Sequence, residues 1–158
     1  MLRSALLAFT LLVPLSLSGC ATRYIPNTDV EDTSDNRKII TFCERYRHAV
    51  ERKNVGELLR LASTEYYEDG GNIDASDDLD YTGLKDYLTS KFQDARAIRY
   101  EIRYRRVIQE DDIIYVDYTY SASYRIPGTK GEEWRRKVEE NRLELVPHQD
   151  DFKIVAGM

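Results

Sequence analysis

Apolar and polar positions along this chain follow two different rhythms, and the switch between them falls just after Ala95. Before it the spacing is helical. Ile39, Cys43, Tyr46 and Val50 fall on one line at a 3.6-residue period, flanked by Phe42 and Ala49, directly after Thr33-Ser34-Asp35-Asn36, all good N-caps. This predicts a first helix ending near Lys53 and Asn54, then a short second helix from Val55 to about Ala62 carrying Leu58, Leu59 and Leu61. Ser63 to Asp80 is rich in Gly and Asp and predicts a long irregular loop. A third helix, capped by Thr82 and running to about Phe92 or Gln93, is expected to bury Leu84, Tyr87, Leu88 and Phe92.

After Ala95 the period is two. Ile98, Tyr100, Ile102, Tyr104 and Ile108 alternate with Arg99, Glu101, Arg103 and Arg105, so one strand face is apolar and the other charged. Ile114, Val116, Tyr118, Tyr120, Ala122, Tyr124 and Ile126 repeat the pattern, and their apolar set must share a face with the first, because a one-residue slip would expose it. A turn around Glu110, Asp111 and Asp112 meets that condition; its tighter form places Tyr104 opposite Tyr118 and Arg105 opposite Asp117. A third strand is expected to turn Trp134 and Val138 inward. Its later apolar residues, Leu143 and Leu145, have the other parity, which calls for a bulge between Glu139 and Arg142. A last strand, Phe152 to Ala156, brings Phe152 and Ile154 opposite Leu145 and Leu143. Helices first and a long antiparallel, bulged sheet afterwards make an α+β domain with the helices on one sheet face.

The N-terminus has another pattern. A cationic start with Arg3 and an apolar run from Ala5 to Leu17, broken by Pro14, has the layout of a secretory signal and is too short to span a bilayer. It closes on Leu17-Ser18-Gly19-Cys20, which resembles the lipobox of bacterial lipoproteins. That resemblance implies removal of residues 1–19, lipid on Cys20, and a place in the cell envelope; Ala21, where inner-membrane retention favours Asp, implies the outer membrane, facing the periplasm, of a Gram-negative host. Residues 20–35 are polar, acidic and aperiodic and read as a flexible tether, with the domain at 36–158.

The 158 residues leave room for one domain, and a net charge of -5 argues against nucleic acid as a partner. With Cys20 consumed by lipid, Cys43 has no disulfide partner and is expected to be a small buried hydrophobe. The acidic loop from Glu68 to Asp80 lacks the Gly and terminal Glu of a calcium loop in register, so neither metal nor cofactor is expected. His48 lies half a turn from the apolar line of its helix and His148 follows Pro147 in a polar turn, which places both at the surface. Asp117 shares parity with Arg103 and Arg105 and is expected in a cross-strand ion pair. No inward carboxylate and histidine are left to work as base and acid, and the expectation is a non-catalytic domain with no catalytic residue.

The first long helix, the short second, Glu65-Tyr66-Tyr67, the third helix and the antiparallel strands ending in Phe152-Lys153-Ile154-Val155-Ala156-Gly157-Met158 resemble the nuclear transport factor 2-like fold in its SnoaL-like branch. The resemblance implies a conical domain whose curved sheet and helices enclose a pocket open at one end. Tyr46, Tyr100, Tyr104, Tyr118 and Tyr120, with Trp134 nearby, all read as projecting into that side, and Arg136, Glu140 and Arg142 share the parity of Trp134. Such a set suits a small amphipathic ligand. The charged outer face, in which Arg135, Lys137 and Glu139 are counted, opposes a dry dimer interface and predicts a monomer or weak oligomer, or a polar contact with an envelope protein. The alternative is a small periplasmic isomerase- or dehydratase-like enzyme using pocket tyrosines and a carboxylate.

Overall fold

The computed structural model describes residues 22–70, 77–93, 95, 97–128 and 131–158, so Cys20 and most of the acidic loop after Gly70 lie outside the described residues. Helix α1 is Ser34–Glu51, capped by Thr33, whose hydroxyl accepts the Asn36 N–H at 3.1 Å. Helix α2 is Val55–Leu61, capped by Asn54. Between α2 and the third helix the expected loop contains a two-stranded ribbon, β1 (Tyr67–Glu68) paired antiparallel with β2 (Leu79–Asp80). Helix α3 is Tyr81–Gln93, and its cap is Asp80 rather than Thr82: Asp80 Oδ1 accepts the Gly83 N–H at 2.8 Å. None of the described helices is long and apolar enough to cross a membrane.

The second half of the chain makes four strands in sequence order, β3 (Ile98–Glu110), β4 (Ile113–Gly128), β5 (Gly131–His148) and β6 (Asp151–Ala156). Helices and sheet form the expected two layers. Ile39, Phe42, Cys43 and Tyr46 of α1 pack with Leu58, Leu84 and Leu88 against Tyr104, Ile114, Val116, Tyr118, Leu143, Leu145 and Ile154 of the sheet, all buried. Truncating one of these leucines to alanine would cost about 2–5 kcal/mol. Cys43 is fully buried within this layer, and burial pushes its thiol pKa well above the ordinary value.

The expected cone is not there. The sheet is open, with β3 at one edge and β6 at the other, and it does not curl round to close. The reason lies in the strand lengths: β6 has six residues and meets only the far end of β5, Glu144 to His148, so nothing returns across the sheet. Ile154 faces Leu145 and Phe152 faces Pro147, one pair away from the expected register.

The sheet also corrects the parity of β5. One uninterrupted register runs from Ile114↔Leu145 to Gly128↔Gly131, without the bulge expected between Glu139 and Arg142. The bulges fall at Tyr104/Arg106 in β3 and Glu144/Leu145 in β5. Because Leu143 and Leu145 are fully buried, the residues two and four places earlier share their side, and Trp134, Arg136, Val138, Glu140 and Arg142 point the other way. The bulge in β3 moves Asp117 opposite Arg106, and its partners are Arg106 (2.8 Å) and Arg142 (2.6 Å), not Arg103 or Arg105.

Those two arginines hold something unexpected. Residues 24–31, read as free tether, fold back on themselves through a Tyr24↔Glu31 bridge and dock on the edge of β3: the Asp29 N–H donates to the Tyr104 carbonyl (2.9 Å), Val30 is 2 % exposed, and the Asp29 carboxylate binds Arg103 (2.5 Å) and Arg105 (2.9 Å). The guanidiniums hold the Asp29 pKa down at about 2, against an ordinary 3.8. A depressed carboxyl stabilises the docked state above pH 3.8, and the stabilisation is lost as pH falls through about 2. Hydrogen exchange at the Asp29 amide is therefore expected to accelerate over that interval before the Val116 amide, in the core of the sheet, responds.

Candidate active site

Below the helices, the inward residues of the sheet leave space. A cavity of about 440 Å³ lies between α1, α3 and the strands, walled by Val50, Leu88, Phe92, Ile98, Ala122 and Met158, with Tyr46, Tyr100, Tyr120, Lys137 and Asn141 among its polar groups. Apolar walls with a few convergent polar atoms are the ordinary composition of a small-molecule site.

The polar groups form two sets. At the buried end, the hydroxyls of Tyr46, Tyr100 and Tyr118 cluster closely enough to shift one another's ionisation. Asn141 Nδ2 donates to Tyr118 Oη at 3.1 Å, and the same nitrogen lies 3.3 Å from the Gly157 carbonyl that also accepts from it. The Tyr46 and Tyr100 rings meet edge-on at 6.5 Å, and Tyr100 packs on Tyr120 at 5.4 Å. Burial raises all three hydroxyls: Tyr100 to about 12, Tyr46 and Tyr118 well above the usual 10. They are neutral hydrogen-bond donors at any physiological pH.

Beside the cavity-lining Tyr120 and Lys137 stands a carboxylate. The Tyr120 hydroxyl donates to Glu139 Oε2 at 2.8 Å, and the Lys137 ammonium lies 2.7 Å from the same oxygen. The Lys137 ammonium first, and the Tyr120 hydroxyl second, hold Glu139 below the ordinary carboxyl value of 4.5, so it is an ionised base at neutral pH. Glu139 and Lys137 are each about half exposed, which leaves the base accessible to solvent and to a ligand entering the cavity.

Of the residues singled out in the sequence, Tyr46, Tyr100 and Tyr118 come together and Tyr120 joins them at the cavity. Tyr104 is buried on the same side but turned to α1, where its hydroxyl donates to Glu44 Oε1 at 2.9 Å. Trp134, Arg136 and Glu140 are corrected to the opposite face: Trp134 is 51 % exposed beneath the guanidiniums of Arg99 and Arg125, and the Arg136 Nε donates to Ser121 Oγ. Lys137 and Asn141 line the cavity instead, with Glu139 on the same side of β5. Counting back by two from Leu145 and Leu143 gives those three positions, so the signal was present in the sequence. His48 and His148 are exposed. Among the described residues no cluster of His, Cys, Asp and Glu is arranged to hold a metal ion.

The buried tyrosines give a spectroscopic expectation. A hydroxyl whose pKa is raised in the folded state binds its proton more tightly there, so stability falls as pH climbs from 10 towards 12. Phenolate absorbance should rise in two stages, exposed tyrosines first and this trio only with or after loss of the fold, while the denaturation midpoint drops steadily over the same interval.

With the geometry in hand, similarity in solved structures decides the fold. Across 78 % of this chain, a candidate scytalone dehydratase from Novosphingobium aromaticivorans superposes with a TM-score of 0.65, 13 % identity and 80 % of its own length. The chain shares its fold, at low identity, with solved structures that include one of the NTF2-like family. A candidate dehydratase of the NTF2-like family from Streptomyces avermitilis matches 78 % of this chain and 94 % of its own at 11 % identity and a TM-score of 0.62. A candidate aromatic ring hydroxylase from N. aromaticivorans matches 78 % and 85 % at 15 % identity and 0.63. No family model and no curated protein matches the sequence. The non-catalytic expectation rested on the lack of an inward carboxylate and histidine pair; Glu139, hydrogen-bonded to Tyr120 beside the tyrosine cluster, supplies a base without a histidine and overturns it.

Proposed function

We propose that this domain is a small enzyme of the isomerase or dehydratase kind, acting on a compact, largely apolar carbonyl compound. The observation that carries the reading is an ionised Glu139, hydrogen-bonded to Tyr120 of the cavity wall, beside the neutral hydroxyls of Tyr46 and Tyr100 that line the same cavity. A substrate whose carbonyl oxygen receives the Tyr46 and Tyr100 hydroxyls would present its α-carbon towards Glu139. Glu139 takes the α-proton; the electrons of the broken C–H bond form an enolate C=C, and the negative charge moves to the oxygen held by the hydroxyls. Glu139 then returns the proton, to another carbon in an isomerisation or to a departing hydroxyl in a dehydration that releases water. Lys137 keeps the base ionised, and Tyr120 orients it. The fold shared with candidate dehydratases supports the reading by analogy. Deuterium exchange at the α-carbon of 2-tetralone in D2O, followed by NMR, tests it. Exchange above the buffer rate that falls in Tyr100→Phe is expected, and a rate equal to buffer alone would sink the idea.

The enzyme is proposed to work in a bacterial envelope, tied by lipid on Cys20, an address supported by Leu17-Ser18-Gly19-Cys20. Cys20→Ser should move the protein from the membrane fraction to the soluble fraction with its circular dichroism unchanged; retention in the membrane would count against lipidation.

A further inference from the structure

The outer face of the sheet carries a patch that the site does not use. Trp134, the only tryptophan of the chain, and Val138 are 51 % and 53 % exposed. The Arg99 guanidinium lies 5.3 Å from the centre of the Trp134 ring and that of Arg125 5.9 Å. Cross-strand pairing sets Arg99 and Arg136 on either side of Ser123, one row from the Arg125↔Trp134 pair. Arg125 is 2.9 Å from Glu132, whereas Arg99 and Arg136 have no carboxylate partner among the described residues. A chain of net charge -5 thus places beside an exposed indole and valine two guanidiniums that have no carboxylate partner among the described residues.

We propose that this patch docks the domain on the surface of an anionic phospholipid bilayer. Guanidiniums bind phosphate oxygens in pairs, and indole favours the headgroup level, where its apolar ring and its N–H are both accommodated. The N-terminal fold-back gives the orientation. Asp29 pins it to Arg103 and Arg105, on the same strand and the same face as Arg99, so Cys20, nine residues earlier, can stand at most about 30 Å from that point. A lipid there would hold the arginine face close to the membrane and raise its effective concentration at the headgroups. The proposal uses the lipid-anchor reading for this orientation only and owes nothing to the chemistry proposed for the cavity.

The test uses the chain from residue 20 onward with Cys20→Ser, so that binding reports the patch and not the anchor. Trp134 emission is followed while vesicles of phosphatidylglycerol and phosphatidylcholine, or of phosphatidylcholine alone, are added. A shift to shorter wavelength with the anionic vesicles only, with partition weakened about fivefold by Arg99→Gln and again by Arg136→Gln, is expected. No shift with the anionic vesicles, or an equal shift with both kinds, overturns the proposal. So does a shift that grows with protein concentration in the absence of lipid, which would make the face a contact between two copies of this chain.

Discussion

Replacing Glu139 with Gln is expected to lower α-proton exchange by about a hundred- to ten-thousandfold, the usual contribution of a positioned general base. The substitution keeps the size of the side chain and leaves an oxygen to accept from Tyr120, so the architecture is retained while the proton acceptor is removed. Glu139 is half exposed, and thermal stability should be close to unchanged. The pH profile of the wild type discriminates further. Lys137 and Tyr120 hold the Glu139 carboxyl below 4.5, so activity should fall only on the acid side of that value and stay level through neutrality. At the alkaline end, loss follows ionisation of Tyr100 near 12, or unfolding before it. In Glu139→Gln the acid limb should vanish with the rate.

The second large effect is one of stability. Gly157→Ala is expected to destabilise the domain by about 2–4 kcal/mol, within the range of single substitutions that strain a special backbone conformation. Gly157 has φ +91, which a residue with a Cβ rarely adopts, and a Cβ there would lie 1.8 Å from the Arg142 carbonyl oxygen, so the backbone itself must move. What moves matters to the site. The Gly157 N–H donates to Glu68 Oε2 at 2.6 Å, the Met158 N–H donates to Tyr66 Oη at 3.2 Å, and the Gly157 carbonyl helps hold the Asn141 amide against Tyr118. Displacement should therefore release Asn141 and shift Met158 in the cavity wall, so that any folded Gly157→Ala protein loses exchange activity beyond its loss of stability. Chemical denaturation followed by circular dichroism gives the stability; the exchange rate at equal folded fraction gives the rest.

Much of this architecture was legible in the sequence, and the failures have physical causes. The helices were legible because a capping residue and a 3.6-residue period agree over Thr33 to Glu51, and β3 and β4 because two alternating runs had to share an apolar face. The β1/β2 ribbon was not, since two-residue strands have no period to detect. The docked residues 24–31 were missed because their anchors are distant in sequence: one valine enters the core, and one aspartate meets arginines 74 and 76 positions away. Closure into a cone came from resemblance, and six residues in β6 are too few to provide it.

At the site, the tyrosines were legible from strand parity, and the carboxylate was lost to a wrong choice between two conflicting apolar signals in β5. Trp134 and Val138 suggested one parity, Leu143 and Leu145 the other, and a bulge was invoked to keep both inside. The sheet resolves the conflict differently: the leucines are buried, while the indole lies exposed against arginines, where cation–π contact accommodates it. One residue of slip exchanges Glu140 for Glu139, and with it the chemistry proposed for the domain.

The most direct test is accordingly a comparison of those two neighbours. Exchange of the α-protons of 2-tetralone is measured for wild type, Glu139→Gln and Glu140→Gln at one neutral pH. Glu139→Gln is expected to fall to near the buffer rate while Glu140→Gln, altered on the opposite face, keeps the wild-type rate. Equal rates in all three proteins, or a loss confined to Glu140→Gln, would contradict the role given to Glu139.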